Sequence, residues 1–206
     1  MKRIIDLTHT LTKSSPVYPN DLPWVLSDHK THDKDGYHLS AISGNLHVGT
    51  HLDAPSHILD SKVMADDFPL DKGIGRAVVF DVRNQQSITL TSTQLDMIQP
   101  NDIVLLHTGW DHYYHQDTYY DHPNVSIKTA RELIDKKISL LGMDMPSPDH
   151  PPFEVHKLMF EHDIWLIENL TNLNMLPSAI IDLWVIPIKI QAEAAYARVF
   201  ALVNDV

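Results

Sequence analysis

Cysteine is absent from the 206-residue sequence, which excludes disulfide bonds and any metal site built on thiolates. This absence agrees with a reducing compartment, so we expect a cytoplasmic protein. Histidine, by contrast, occurs 14 times. A transition-metal site in this chain must therefore use imidazole and carboxylate ligands, a set of donors that suits zinc, manganese or iron.

Long apolar runs and clusters of basic residues are also missing. The most apolar stretch, residues 179–190, contains Asp182, Pro187 and Lys189 and is shorter than the ~20 residues needed to span a bilayer. The 16 Lys and Arg residues are scattered and outnumbered by 27 Asp and Glu residues, which gives a formal charge of −11. We therefore expect neither a membrane nor a nucleic acid as a partner.

The distribution of apolar residues predicts one domain over residues 1–206, because no repeat, low-complexity tract or linker divides the chain. Short apolar runs predict buried strands, and Thr91 and Ser126 are typical helix-capping residues. Strands and helices alternate irregularly, which predicts an α/β fold with a mixed sheet. The predicted strands cover residues 2–8, 38–48, 75–82, 102–109, 138–144, 164–168, 180–190 and 197–203, and the predicted helices cover 92–97, 127–137 and 153–162.

The densest group of potential metal ligands lies in HVGTHLDAPSH, residues 47–57. On a straight strand, His47 and His51 would lie ~13 Å apart, too far to share an ion with bonds of ~2 Å. The backbone must therefore bend, and Gly49 permits the necessary angles. A helical turn or a kinked loop would each bring His47, His51 and Asp53 together around one ion.

His57 ends this motif and has three candidate roles: a further metal ligand, a catalytic base, or a group that orients the ligands. If it is not coordinated, its ordinary pKa of ~6.5 would let it exchange protons near neutral pH. A single histidine is most often a surface residue. Three histidines, one aspartate and a bend-forming glycine within eleven residues favour a metal site instead.

A second set of donors lies downstream and consists of His150, His156, His162 and Glu168. Glu168 ends the apolar run IWLI, where a buried carboxylate needs a partner such as a metal ion. His156 lies in a predicted helix and could face the same cavity. The alternative is that Glu168 pairs with an arginine or a backbone amide and that His156 is exposed.

HVGTHLDAPSH resembles the HxGTHxDxPxH signature of the cyclase family of metal-dependent hydrolases, which includes bacterial kynurenine formamidases and isatin hydrolases. The resemblance implies a swivelling β/β/α sandwich, a homodimer or homotetramer, and bound zinc or manganese. It covers nearly the whole chain through further blocks: SPVYPNDLPW (15–24), LLHTGW (105–110), LLGMDMPSPD (140–149), HKLMFEHDIWLIENL (156–170) and PIKIQAEAAYARVFAL (187–202).

The resemblance also implies the roles of individual side chains at the metal site. His47, His51 and Asp53 would bind the first ion, and Asp53 would bridge to a second ion. His156 and Glu168 would hold that second ion. We therefore expect one or two divalent ions, with zinc as the first choice and manganese as the second.

The remaining implied roles concern the substrate, a small aromatic amide. His57 would donate and accept protons, and Tyr18 and Trp24 would help to close the pocket. We predict a hydrolase in which a metal-activated water attacks the amide carbonyl, with N-formylkynurenine as the leading substrate. The alternatives are hydrolysis of another cyclic amide, similar to isatin, and a metal-dependent binding protein without catalysis.

Three further features have less specific interpretations. WDHYYHQDTYYDHP (110–123) is interpreted as a surface or subunit-contact segment rather than a third metal site. Asp144 is the one strand-end carboxylate that could approach the cavity. Arg198 could bind a substrate carboxylate or form a structural ion pair.

Overall fold

The computed structural model describes residues 2–177 and 179–204, which form one α/β domain around an eight-stranded mixed sheet. The strands are β1 (Lys2–Asp6), β2 (Val25–Lys30), β3 (Leu39–Ser43), β4 (His51–Asp53), β5 (Ile74–Asp81), β6 (Ser87–Ile88), β7 (Ile103–His107), β8 (Asn124–Val125), β9 (Leu140–Met143), β10 (Trp165–Glu168), β11 (Ile180–Pro187) and β12 (Ala194–Asn204). The α-helices are α1 (His32–Asp35), α2 (Ser92–Asp96), α3 (Ile127–Asp135) and α4 (Glu154–Glu161).

The main sheet has the strand order β1-β12-β11-β5-β7-β9-β10-β4. The pairs β5–β7, β7–β9 and β9–β10 are parallel, and the other neighbours are antiparallel. The long strand β12 also pairs with β4, so the sheet closes on itself like a barrel. Two small sheets, β2–β3 and β6–β8, complete the fold. The predicted α/β fold with a mixed sheet is confirmed.

The parallel strands are continuous apolar runs because both faces of the sheet are covered. All five residues of β7 are buried. One face of the strand contributes Leu105 to a core that also contains Leu52 and Trp165. The other face contributes Leu106 to a second core, where Leu133 of α3 and Met159 of α4 pack on the sheet.

The two helix starts predicted from capping residues, at Thr91 and Ser126, are confirmed by their caps. The Thr91 hydroxyl accepts a hydrogen bond from the Gln94 amide at 3.2 Å, and the Gln94 side chain accepts one from the Thr91 amide at 2.9 Å. The Ser126 hydroxyl accepts a hydrogen bond from the Thr129 amide at 3.1 Å. Within residues 2–177 and 179–204, no helix has the length and apolar character that a membrane span requires.

Several strands differ from the sequence predictions, which contain no strand at β2, β4, β6 or β8. The strand predicted over 38–48 ends at Ser43, because the chain bends before it enters the three-residue strand β4. β2 was not predicted because its side chains are mostly exposed on both faces, so they lack the alternation of a half-buried strand. The bend between β3 and β4 positions the functional site.

Candidate metal centre

His47 and His51 approach each other through a kinked loop and not through a helical turn. Gly49, between them, has a φ of +67°, which side-chain-bearing residues rarely adopt. A Cβ atom at Gly49 would also lie 2.6 Å from Leu11 Cδ2. The loop leads directly into β4, whose hydrogen bonds to β10 and β12 fix the positions of His51 and Asp53.

Three donor atoms form a nearly equilateral triangle at the end of this loop. His47 Nδ1 lies 3.2 Å from His51 Nε2 and 3.1 Å from Asp53 Oδ1, and His51 Nε2 lies 3.2 Å from the same oxygen. Two ligand atoms bound to one zinc ion at about 2.1 Å, with about 100° between the bonds, lie about 3.2 Å apart. The triangle therefore has the dimensions of three ligands on one face of an ion.

A second group of donors adjoins the first through Asp53. His156 Nε2, from α4, lies 3.7 Å from Asp53 Oδ2 and 3.4 Å from Glu168 Oε1. Glu168 Oε2 lies 3.4 Å from His51 Nε2, because β10 pairs Glu168 with His51 across the sheet. Asp53 thus directs one oxygen to each group, so its carboxylate could contribute to a cation site with either group.

The other downstream histidines do not join the centre. His150 contacts the His122 carbonyl oxygen at 3.0 Å, and His162 is exposed at the end of α4. Glu168 contacts imidazoles rather than an arginine, and His156 is only 2% exposed. Among the described residues, neither an arginine nor a backbone amide pairs with the Glu168 side chain, and His156 is not a surface residue, so the geometry excludes the alternative.

The chemistry of these donors fits a bound cation. Asp53 is buried, and neither of its carboxylate oxygens makes a hydrogen bond of good geometry; the same is true of Glu168 Oε1. Burial alone would lower the pKa of His47, but the charge and hydrogen bond of Asp53, together with Glu193 and Glu168, outweigh it and raise the pKa to about 10. Burial would likewise raise the pKa of Asp53, but His47 and His51 hold it well below its usual range. The centre therefore favours positive charge, as a site for one or two divalent ions must.

Two histidines of the centre, His51 and His156, are oriented by contacts on the far side of their rings. Asp149 Oδ1 lies 2.6 Å from His156 Nδ1, and the Gly49 carbonyl oxygen lies 2.8 Å from His51 Nδ1. These contacts leave Nε2 of both rings free to face an ion. Sequence reasoning did not assign a role to Asp149, although it lies in the block LLGMDMPSPD, seven residues before His156.

His57 lies beside the centre in a short 3₁₀-helix that starts at Pro55. The centroid of its ring is 4.2 Å from that of His47 and 5.9 Å from that of His156. Burial lowers the pKa of His57 to about 4, against the opposing charge of Asp53. A nitrogen of His57 also comes within 4.8 Å of donor atoms of His47 and Asp53, so both a proton-transfer role and a ligand role stay open.

A cavity of about 210 Å³ opens over the centre. Tyr18 lines this cavity, as predicted for a residue that contacts substrate. Trp24 does not line it; its indole N–H donates to the Thr12 carbonyl oxygen at 2.8 Å, and its ring packs edge-on against Tyr196. Trp24 therefore lies behind the pocket wall and not in contact with the cavity.

The segment 110–123 differs from its interpretation as a surface loop. Its tyrosines Tyr114, Tyr119 and Tyr120 line the cavity, and His122 is buried. The Tyr119 hydroxyl donates to Asn169 Oδ1 at 2.6 Å, which connects this wall to the residue after Glu168. The four tyrosines within eight residues were the available signal, because tyrosine combines a large apolar ring with a polar tip and is common at binding surfaces.

Two other candidates have structural roles. Arg198 donates to both carboxylate oxygens of Asp6, at 3.1 and 2.6 Å, and does not reach the cavity. Asp144 is fully buried outside the cavity lining, where it accepts hydrogen bonds from the amides of Thr108 and Gly109, both at 2.8 Å. Burial raises the pKa of Asp144 to about 7.

Comparison with known proteins places this arrangement in a family. The Cyclase family model, described as "Putative cyclase", matches residues 5–150. Two curated relatives named kynurenine formamidase, from Erythrobacter litoralis and Salinibacter ruber, are each 28% identical to the chain. The first alignment covers 92% of this chain and 88% of the relative, and the second covers 98% and 97%.

Solved structures agree with the sequence relatives. Isatin hydrolase A from Labrenzia aggregata bound to benzyl benzoate superimposes with a TM-score of 0.87 at 25% identity, covering 99% of this chain and 94% of that chain. The family model spans well over half of the sequence and includes the histidine-rich loop. The chain therefore belongs to the cyclase family of metal-dependent hydrolases.

Proposed function

We propose that the protein is a metal-dependent amide hydrolase, and specifically an arylformamidase that converts N-formylkynurenine and water to formate and kynurenine. The observation that carries this proposal is the triangle formed by His47, His51 and Asp53, with His57 beside it and an aromatic cavity above it. The names of the two curated relatives support the same reaction.

The proposed reaction adds water across the formyl C–N bond. A divalent ion in the centre supplies Lewis acidity, which lowers the pKa of water and polarises a carbonyl oxygen. The water oxygen bonds to the formyl carbon, and His57 accepts the proton that the water loses. His57 then gives this proton to the aryl nitrogen as the C–N bond breaks, so formate and the free arylamine leave. Because burial keeps the His57 ring neutral, one ring nitrogen is available as an acceptor.

The residues that line the cavity favour an aromatic substrate. Tyr18, Tyr120 and Phe153 line the cavity, and Ile58 and Pro146 add apolar side chains to its lining. Apolar walls with a few convergent polar groups are typical of small-molecule sites. An aryl ring held between these side chains would place its formamide towards His57 and the triangle of donors.

A second substrate class is a cyclic aryl amide similar to isatin. The similarity to isatin hydrolase A supports it, and ring opening would use the same water attack and the same proton transfer by His57. The donor set contains only imidazole and carboxylate groups, so we propose zinc as the resident metal and manganese as the alternative. Asp53, with one oxygen for each group of donors, would allow one or two ions.

Removal and replacement of the metal tests the proposal. The protein is stripped with a chelator and reloaded with Zn²⁺ or Mn²⁺, and kynurenine release from N-formylkynurenine is followed by ultraviolet absorption. We expect the stripped protein to be inactive and one of the two ions to restore turnover. A metal-loaded protein that binds aryl amides but hydrolyses neither N-formylkynurenine nor isatin would contradict the proposal and favour a binding protein without catalysis.

A further inference from the structure

A tight turn at the mouth of the cavity places a carboxylate next to a tyrosine ring. The Asp21 amide donates to the Tyr18 carbonyl oxygen at 3.1 Å, and Asn20 has a φ of +73°. Proline at the second position and a left-handed asparagine at the third are typical of a type II turn, and the sequence supplies both as Pro19 and Asn20. The turn therefore fixes Tyr18 and Asp21 close together, and both line the cavity.

A second aromatic ring completes the mouth. Tyr120 lies edge-on to Tyr18 with the ring centroids 5.2 Å apart, and it also lines the cavity. Asp21 is exposed, and its carboxylate makes one long contact, with Asn45 Nδ2 at 3.4 Å. Burial and then the charge of Asp21 raise the pKa of the Tyr18 hydroxyl, which agrees with a negative charge near that ring.

In the described part of the chain, no lysine or arginine balances this carboxylate at the cavity, because none lines it. Lys13, the nearest cation in sequence, pairs with Asp28 at 3.3 Å, and Arg198 is held by Asp6. The formal charge of −11 adds a negative field over the whole molecule. Away from the metal centre, the described lining of the cavity therefore carries the negative charge of Asp21 without a lysine or arginine beside it, which favours a cation at the mouth.

We propose that Asp21, Tyr18 and Tyr120 form a subsite for an organic ammonium group on the substrate. A carboxylate with two tyrosine rings beside it is the chemistry that recognises an alkylammonium ion, through charge attraction and cation–π contact. This inference rests on the proposed function and deepens it: the preferred substrate is an aryl formamide whose side chain carries a protonated amine. A carboxylate on the same side chain would face the solvent and gain nothing from the site.

Four aryl formamides that share one ring test the subsite. N-formylkynuramine carries only the ammonium group, 4-(2-formamidophenyl)-4-oxobutanoate only the carboxylate, N-formylkynurenine both, and N-(2-propanoylphenyl)formamide neither. The metal-loaded wild type should favour the ammonium compound over the neutral one by about tenfold in kcat/KM, and the carboxylate-only compound should be the poorest substrate. Equal kcat/KM values for the ammonium and neutral compounds, or a preference for the carboxylate, would overturn the proposal.

The variant Asp21→Asn isolates the charge of the subsite. In this variant the ratio of kcat/KM for the ammonium and neutral compounds should fall to near one. Asp135→Asn is the matched control, because it removes the same charge from an exposed position on α3, away from the cavity lining. It should keep the wild-type ratio. An unchanged ratio in Asp21→Asn would overturn the proposal.

A binding measurement separates this inference from the proposed function. If none of the four formamides is hydrolysed, the proposed function fails, and the subsite is judged by titration calorimetry with 2-phenylethylammonium. The subsite predicts that wild type and Asp135→Asn bind this cation about tenfold more tightly than Asp21→Asn does. Equal binding by the three proteins would overturn it, whatever the outcome of the activity assays.

Discussion

Two groups of histidines in this molecule, each with at least one buried ring, behave in opposite ways. The metal centre contains His47, His51 and His156, and the second group is the stacked pair His122 and His150, whose ring centroids are 4.1 Å apart. In the metal centre, carboxylates raise the pKa of His47 to about 10. In the stacked pair, burial dominates and lowers the pKa of His122 to about 4.

The difference comes from carboxylates and not from the number of imidazoles. Asp53 and Glu168 lie among the rings of the metal centre with their oxygens directed at them. In the stacked pair, the nearest polar contacts are carbonyl oxygens: His122 Nδ1 lies 2.8 Å from the Pro123 oxygen, and His150 Nε2 contacts the His122 oxygen. Carbonyl oxygens fix a ring but add no negative charge. A buried histidine cluster therefore becomes a candidate cation site when buried carboxylates converge on it.

The strongest test of this comparison is Asp53→Ala, which removes the shared carboxylate. We expect the variant to lose bound metal and to reduce turnover at least about a thousandfold, because the loss of a direct ligand exceeds the 10–100-fold effect typical of outer contacts. Metal analysis of the purified protein measures the first effect, and the formamide assay measures the second. His122→Phe, in the stacked pair, should keep its full metal content. Stoichiometric metal in Asp53→Ala would contradict the conclusion that buried carboxylates distinguish the two groups.

His57→Ala tests whether His57 transfers protons or binds the metal. His57 is a neighbour of the ligands, but its pKa is shifted in the direction opposite to that of His47. If it transfers protons, its removal should reduce kcat by about 10²–10⁴-fold while the metal content stays at the wild-type level. Metal analysis and steady-state kinetics on the same sample decide the point. A parallel loss of metal and turnover would identify His57 as a ligand.

Much of this site could be predicted from the sequence because it depends on local spacing. The eleven residues from His47 to His57 contain three of the donors, and the bend between them needed only Gly49. Glu168 was recognisable because a carboxylate that ends an apolar run needs a buried partner. The pairing of β4 with β10, which brings Glu168 beside His51, is a long-range contact that no local pattern specifies.

The parts that could not be predicted depend on tertiary packing. Tyr114 and Tyr119 belong to a polar segment whose pattern is typical of a surface loop, and they face the cavity only because the segment folds back onto Asn169. Trp24 was expected at the pocket because the family resemblance implied that the early aromatic segment helps to close it. Its side chain does not line the cavity, and its indole N–H donates to the Thr12 carbonyl oxygen instead.

The smallest expected effect concerns the stacked pair and the dependence of stability on pH. The pKa of His122 is about 4 in the folded protein, and an unfolded histidine has a pKa of ~6.5. The unfolded chain therefore binds the proton first as the pH falls. The contribution of His122 to stability is fully present above pH ~6.5 and is lost between pH ~6.5 and pH ~4.

His122→Phe keeps an aromatic ring at this position and removes the titration. Between pH 8 and pH 4.5, the wild type should lose roughly 2 kcal/mol more free energy of unfolding than the variant does, as measured by urea denaturation of the metal-free proteins at both pH values. His162→Gln, at an exposed histidine, should keep the wild-type pH dependence. If His122→Phe and the wild type lose the same free energy of unfolding, the His122 ring is already protonated in the folded protein at pH 4.5. Burial would then not decide the charge of the second group, and the contrast with the metal centre would have another cause.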